Sequence, residues 1–198
     1  NMGKILIVDW DLHHGDGTQA TFYDDNRVLF FSTHQYPYYP GTGAVAETGR
    51  GKGQGYTINV PLSVGADDGH YLKIYRRILR PVALAFKPDI ILLSAGFDIF
   101  YQDPLGGMKV TPQGFANLAR MILNIAGECC QGRLVATLEG GYHLTGLAQS
   151  VKAVLLEMLG ETLVSEDQLK KVEKESDSSR DALINRVIQQ IEPVWKVF

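Results

Sequence analysis

Asp9, Asp11 and His13 stand at alternate positions behind an apolar run, Lys4-Ile5-Leu6-Ile7-Val8. Carboxylate oxygens and an imidazole nitrogen are the donors a divalent cation takes, and unpaired charge at the end of a buried segment is costly. The run predicts a strand buried on both faces, because such strands show near-continuous Ile, Val and Leu rather than alternation. Continued through the motif, an extended backbone puts the side chains of 9, 11 and 13 on one face. Asp11 and His13 are then roughly 7 Å apart at their bases, near enough to bend toward one ion. On a helix, residues two apart diverge. Another carboxylate, Asp98, ends the run Ser94-Ala95-Gly96-Phe97-Asp98. Asp11, His13 and Asp98 would leave an open position on a tetrahedral zinc, which marks a catalytic rather than a structural site. Their two carboxylates make the ion a weaker activator of water than three neutral histidines would. Tyr142, behind Gly140 and Gly141 in Leu138-Glu139-Gly140-Gly141-Tyr142, suits the role of oxyanion donor. The alternative is a satisfied Asp–His hydrogen-bond network without metal.

These groups need a scaffold that brings together segments far apart in the chain. Apolar runs at 4–8, 27–33, 89–95 and 133–138 read as buried strands, and 56–61 as a strand of more polar alternation, suited to a sheet edge. Helical stretches fall between them: 18–25 with Phe22 as inward anchor, 67–86 kinked or split at Pro81, one opened by Thr111-Pro112, and 147–159. Such alternation predicts an α/β fold with a doubly wound parallel sheet, whose ligands gather outside the carboxyl ends of the strands. Gly96 would allow a close backbone approach there. The long segment 34–55, rich in Gly, Pro and Tyr, is expected to form a structured rim over a pocket. Within it, Gly49-Arg50-Gly51-Lys52-Gly53 reads as a flexible turn, since it neither follows a strand nor opens a helix. Beyond 160 the chain is richer in charge. Ser165 and Gln168 form a capping-box pattern, and Leu183, Ile184, Val187, Ile188 and Ile191 form a helical stripe. Two parts are therefore expected: an α/β part over 1–160 and a helical extension over 161–198 packed on it.

The 198 residues, 45% hydrophobic and 21% charged, suffice for one domain with a sizeable core. A net charge of −3 gives no electrostatic case for nucleic-acid binding, and Arg76, Arg77 and Arg80 read as a solvated helix face. No apolar segment is long enough to span a membrane, and no signal-peptide pattern opens the sequence. Cys129 and Cys130 are adjacent and poor candidates for a structural disulfide, which fits a cytoplasmic setting. Asn1 ahead of Met2 reads as an expression remnant, and a strand of central character so near the start suggests sequence upstream.

The stretch Val8-Asp9-Trp10-Asp11-Leu12-His13-His14-Gly15-Asp16-Gly17-Thr18-Gln19 resembles the zinc motif of the histone deacetylase superfamily. Pro40-Gly41-Thr42-Gly43, Ser94-Ala95-Gly96-Phe97-Asp98, Asp103-Pro104-Leu105-Gly106-Gly107 and Leu138-Glu139-Gly140-Gly141-Tyr142 follow in that family's order. The wording is closest to class II-like and bacterial deacetylases, including acetylpolyamine amidohydrolases. The resemblance implies an arginase/deacetylase-like sheet that lacks its N-terminal strands. It implies Asp11, His13 and Asp98 as ligands of zinc, with ferrous iron as the alternative metal. Tyr142 would polarise the acetyl carbonyl of an acetylated lysine or acetylpolyamine, with Tyr39, Gly140 and Gly141 along the substrate channel. A potassium or sodium site is implied at Asp9, Asp11, His13, Ser32 and the Thr33 backbone, and a second at Phe22, Asp25, Val28 and Tyr56.

One element departs from the family pattern. Members carry a Gly-His-His general base upstream of the zinc motif, and Asp9 would orient one of those histidines. His13-His14 is not that pair, because His13 is committed to metal. The sequence is therefore expected to be the carboxyl-terminal half of such a domain, binding zinc but hydrolysing acyl amides poorly or not at all alone. Two other readings stand beside it. One is a non-catalytic metal-binding half-domain that forms a homo-oligomer through an exposed sheet edge. The other is a binuclear manganese ureohydrolase, disfavoured by Gly15 two positions after the histidine, where such enzymes place a carboxylate.

Overall fold

In the computed structural model, which describes residues 3–198, the five runs form β1 (Ile5–Asp9), β2 (Val28–Gln35), β3 (Thr57–Leu62), β4 (Ile90–Ala95) and β5 (Leu134–Leu138). The reading of Asn1 and Met2 lies outside the described residues. All pairings are parallel, in the order β3-β2-β1-β4-β5. The chain begins at the centre, steps outward through β2 to β3, then returns to the other side of β1 for β4. That reversal opens a crevice between the carboxyl ends of β1 and β4, which is where ligands bind in such sheets. Asp11 and His13 follow β1, and Asp98 follows β4.

Between the strands lie α1 (Asp16–Phe22), α2 (Asp68–Ile74), α3 (Arg80–Phe86), α4 (Pro112–Cys130) and α5 (Leu144–Leu159), and after them come α6 (Glu166–Glu175) and α7 (Asp181–Ile191). α2 and α3 are joined by a π-helical turn at Tyr75–Leu79. The wide turn directly precedes Pro81, whose missing N–H removes a regular helical bond. Helix α5 starts three residues earlier than its apolar pattern, because His143 Nδ1 accepts the N–H of Gly146 as a cap. The Ser165–Gln168 capping box is formed. Gly51–Gly53 is a short 3-10 turn.

The main core fills one face of the sheet, where Leu6, Val8, Phe31 and Leu93 meet Tyr71, Tyr75, Phe86 and Phe115. Ile184, Val187 and Ile191 of α7, with Leu169 of α6 and Trp195, join it. Trp195 Nε1 donates to Gly55 O at 2.7 Å. Arg76 and Arg77 do not decorate a solvated face. Arg76 pairs with Glu166 and Glu173 of α6, and Arg77 reaches Asn185 of α7, so both fasten the C-terminal helices to the body.

The opposite face is thinner, with Ile7, Val28 and Phe30 covered by Phe22. The expectation of strands buried on both faces holds for β1 and β2 and fails at β4 and β5. β4 alternates buried and half-buried residues, and β5 is largely exposed, with Val135 at 51% and Leu138 at 60%. β5 is an edge strand with no neighbour beyond it among the described residues. β3, the other edge, is buried along its whole length because α7 packs over it. No helix among the described residues is long and apolar enough to cross a membrane.

Candidate metal centre

The strand stops at Asp9, and residues 11–13 bend rather than continue extended. The aspartates themselves impose the bend. Asp9 Oδ1 accepts the N–H of Asp11 at 3.0 Å, and Asp11 Oδ1 accepts that of His13 at 2.8 Å, each closing a local turn two residues on. Asp9, Asp11 and His13 therefore do not share a strand face. Asp9 stays buried below, while Asp11 and His13 turn toward Asp98. His13 Nδ1 lies 3.2 Å from both Asp11 Oδ1 and Asp98 Oδ2, and one donor atom from each of the three residues lies within 4.8 Å of the others.

Asp98 is fully buried. Its Oδ1 accepts the N–H of Leu12 at 2.8 Å, but its Oδ2 makes no hydrogen bond. Burial, reinforced by the neighbouring Asp11 carboxylate, holds the Asp98 carboxyl well above its ordinary range. Burial does the same to Asp9. A buried carboxylate oxygen without a donor, facing a second carboxylate and an imidazole, is the electrostatic complement of a divalent cation. The backbone is cut to fit. A Cβ at Gly96 would overlap the backbone and side chain of Asp11, and one at Gly140 would overlap the carboxylates of both Asp98 and Asp11. Gly140 N–H also donates to Asp11 Oδ2 at 2.9 Å.

The cluster opens into a cavity of about 410 Å³ whose walls include Ser94, Glu139, Gly140 and Tyr142. Tyr142 is half-exposed, and partial burial with the nearby Asp98 and Asp11 carboxylates raises its hydroxyl pKa, so the phenol stays protonated. Tyr39 stands at the rim, 76% exposed and edge-on to His13 at 6.2 Å. The closer aromatic is Tyr38, absent from the sequence reading. Its ring stacks on His13 at 5.7 Å and its hydroxyl donates to Leu105 O at 2.8 Å. The run Tyr36-Pro37-Tyr38-Tyr39-Pro40 offered either tyrosine, with no spacing to choose between them.

His14 borders the cavity, but both ring nitrogens are engaged, Nδ1 with Thr42 Oγ1 at 2.8 Å and Nε2 with Gln19 Oε1 at 3.1 Å. The His34 ring lies against it, tilted by 51° with ring centres 4.6 Å apart. Its Nε2 donates to Gly43 O, which leaves Nδ1 to accept from Ser32 Oγ, and burial lowers its pKa to about 3. Glu47 accepts the N–H groups of Gly43 and Ala44 and the amide of Gln19. The Pro40-Gly41-Thr42-Gly43 loop is thereby tied to the floor of the site.

Of the first expected cation set, Ser32 lies beside Asp9 in the sheet and Thr33 Oγ1 donates to Asp9 O at 3.4 Å. The second set surrounds the turn between α1 and β2. Asp25 N donates to Phe22 O, Val28 N donates to Asp25 O, and Tyr56 O accepts from Phe30 N. The Asp25 carboxylate is turned away to Arg27, which lowers its pKa to about 2.

The sequence and the fold have known counterparts. The Histone deacetylase domain family matches residues 1–158. The chain belongs to the histone deacetylase family. It is 51% identical over 143 residues to a "Probable deacetylase" of Archaeoglobus fulgidus, covering 72% of this chain and 40% of that protein. To Histone deacetylase 15 of Arabidopsis thaliana it is 44% identical over 162 residues, covering 80% of this chain and 29% of that protein. The chain thus spans well under half the length of these curated relatives. Among solved structures, the HDA15 HD domain superposes with a TM-score of 0.88 at 36% identity, over 100% of this chain and 54% of that one. The histone deacetylase Clr3 gives 0.85 at 36% identity, over 99% and 32%. The superposition with HDA15 takes in residues 161–198 of this family member, where its sequence offers no motif.

Proposed function

We propose that this chain supplies the metal centre and carbonyl-binding tyrosine of a hydrolase that cleaves an acetyl or acyl amide on lysine or a polyamine. The observation that carries the reading is the convergence of Asp11, His13 and Asp98 beside Tyr142 at the strand crossover. Asp11, His13 and Asp98 would hold zinc, with ferrous iron as the alternative. When bound, the metal supplies Lewis-acid polarisation of the amide carbonyl and a water of lowered pKa. Leu12 N–H orients Asp98 and Gly140 N–H orients Asp11, so both carboxylates are fixed before a ligand arrives. The Tyr142 hydroxyl donates to the carbonyl oxygen as negative charge develops on it. Potassium or sodium beside Asp9, Ser32 and Thr33 would offset the buried negative charge below the site.

The described residues hold no free imidazole to act as general base. His13 is a ligand, and His14 and His34 are bonded through both ring nitrogens. His70 is bonded to Asp67 and Asp177, and His143 caps α5. Turnover by these residues alone is therefore weak or nil. The test is zinc content per chain together with hydrolysis of a fluorogenic acetyl-lysine peptide. One zinc per chain and a rate far below the roughly 1–10³ s⁻¹ of ordinary enzymes are expected. Failure to bind zinc overturns the metal assignment, and ordinary turnover abolished by His13→Ala overturns the weak activity. Two manganese ions per chain would favour the ureohydrolase instead. The exposed apolar edge at Val135 and Leu138 favours one further reading, self-association through β5, which light scattering on the eluting protein would detect as a dimer.

A further inference from the structure

The Asp103-Pro104-Leu105-Gly106-Gly107 motif has no chemistry assigned to it by its composition. In the fold, Asp103 is buried, at 6% exposure, and its carboxylate is fully engaged with backbone. Oδ1 accepts the N–H of Leu105 at 2.9 Å. Oδ2 accepts those of Tyr142 at 2.7 Å and His143 at 3.2 Å. Two of these three bonds cross from the loop after β4 to the loop after β5. The loop that carries Asp103 is itself seated on a metal ligand, since a Cβ at Gly106 would overlap Asp98 O. Asp103 N–H further donates to Phe100 O at 2.9 Å. Asp98 and Asp103 thus form one rigid bracket.

On the other side of the bracket, Gly140 is tied to Asp11 and Phe97, and the loop N–H groups of Tyr142 and His143 are taken by Asp103. Gly140 and Gly141 precede Tyr142, and Gly141 has φ +138°, a conformation side chains rarely adopt. The Tyr142 ring is half-exposed. A carboxylate accepting two successive N–H groups makes charge-assisted bonds, stronger than those to a neutral acceptor.

We infer that Asp103 is a positioning residue for Tyr142, fixing the backbone from which the phenol reaches over Asp11, His13 and Asp98. The inference rests on the proposed role of Tyr142. An asparagine at 103 offers one acceptor oxygen in place of two and turns an NH2 toward N–H groups, so the bracket opens while the metal ligands keep their own bonds.

Amide spectra and hydrogen exchange of the zinc-loaded protein read this without recourse to activity. In Asp103→Asn, the Tyr142 and His143 amide protons move upfield and exchange about tenfold faster or more, while those of Leu12 and Gly140 and the zinc affinity stay within about twofold of wild type. In the unsubstituted protein, both amides show scalar coupling across the hydrogen bond to the Asp103 side-chain carboxyl carbon, a measurement that needs no variant to fold. Where hydrolysis is measurable, kcat falls about 10- to 100-fold with KM nearly unchanged, and the same substitution in a Tyr142→Phe background costs less than about twofold. Tyr142 and His143 amides that ignore the substitution and show no coupling to the Asp103 carboxyl overturn the inference, as does a kcat loss undiminished without the phenol hydroxyl. Absence of any hydrolysis is within the weak or nil turnover already expected of these residues alone, and it leaves the amide readings to decide the role of Asp103.

Discussion

Asp98→Asn should stabilise the metal-free protein and abolish most of what zinc adds. Asn Oδ1 can keep the bond from Leu12 N–H, while the amide nitrogen replaces an Oδ2 that has no hydrogen bond and faces the Asp11 carboxylate. Burial and the neighbouring Asp11 carboxylate push the Asp98 pKa up to about 7, so at pH 7 the folded wild type holds a part-charged buried carboxyl that its unfolded chain holds fully ionised in water. Each pKa unit of upward displacement is worth about 1.4 kcal/mol, so removing the charge should raise metal-free stability on the order of 1–3 kcal/mol. That gain should shrink as the pH falls and Asp98 protonates. Zinc at a hundredfold excess over its Kd stabilises wild type by about 2.7 kcal/mol. Losing one charged ligand of three should raise Kd about a hundredfold or more, which leaves the variant about 0.4 kcal/mol at the same free zinc. The lead that the variant holds with chelator should then shrink by about 2.3 kcal/mol with zinc. Urea melts at pH 7 in EDTA and in a zinc buffer measure all four values, and near 200 residues each kcal/mol moves Tm by about 2–4 °C. A metal-free variant less stable than wild type, or a zinc increment equal to that of wild type, would refute the reasoning.

Three further outcomes follow from the same structure. Gly140→Ala should weaken zinc binding about tenfold or more, because its Cβ overlaps two ligand carboxylates, whereas Gly17→Ala, with nothing within 4 Å, should leave calorimetric zinc affinity unchanged. His34 has its pKa lowered from 6.5 to about 3, so between those values the unfolded chain binds a proton that the folded one does not. Stability from this group is complete above pH 6.5 and falls by about 1.4 kcal/mol per pH unit below it, a slope that pH-dependent urea melts should find flattened in His34→Gln. Ile184→Ala, at a fully buried position of α7, should cost about 2–5 kcal/mol in global unfolding; melting of α6 and α7 in a separate early transition would show that they do not share the core's cooperativity.

The central place of β1 was legible because Ile5 to Val8 leaves no polar face, and the convergence of Asp11, His13 and Asp98 was legible because acidic groups and an imidazole rarely end such runs unpaired. Their local geometry was not. A strand continued to His13 brings Asp11 and His13 together on paper, whereas the aspartates bond the N–H groups two residues on and bend the chain by themselves. β5 shows where composition stops being informative. Val135 and Leu138 read like any buried strand, and their exposure depends on what lies beside the strand rather than on their own type. Arg76 and Arg77 looked like solvated charge because their acceptors, on α6 and α7, lie about ninety residues or more away. For the same reason the role of Asp103 was hidden: its acceptor oxygens are recognisable, but the N–H groups they take are set by a loop 39 residues further on.

Leu138 closes the exposed edge strand and also lines the metal cavity, next to Glu139. Whatever lies against β5 therefore decides how much water reaches the cavity from that side. The attraction between two charges 4 Å apart rises about fourfold when the effective dielectric constant drops from that of water to about 20. A layer over β5 would thus strengthen the Tyr142 hydrogen bond and the hold of Asp11 and Asp98 on a cation without moving any of these residues. The strength of the site is governed by the dryness of a sheet edge as well as by the identity of its ligands.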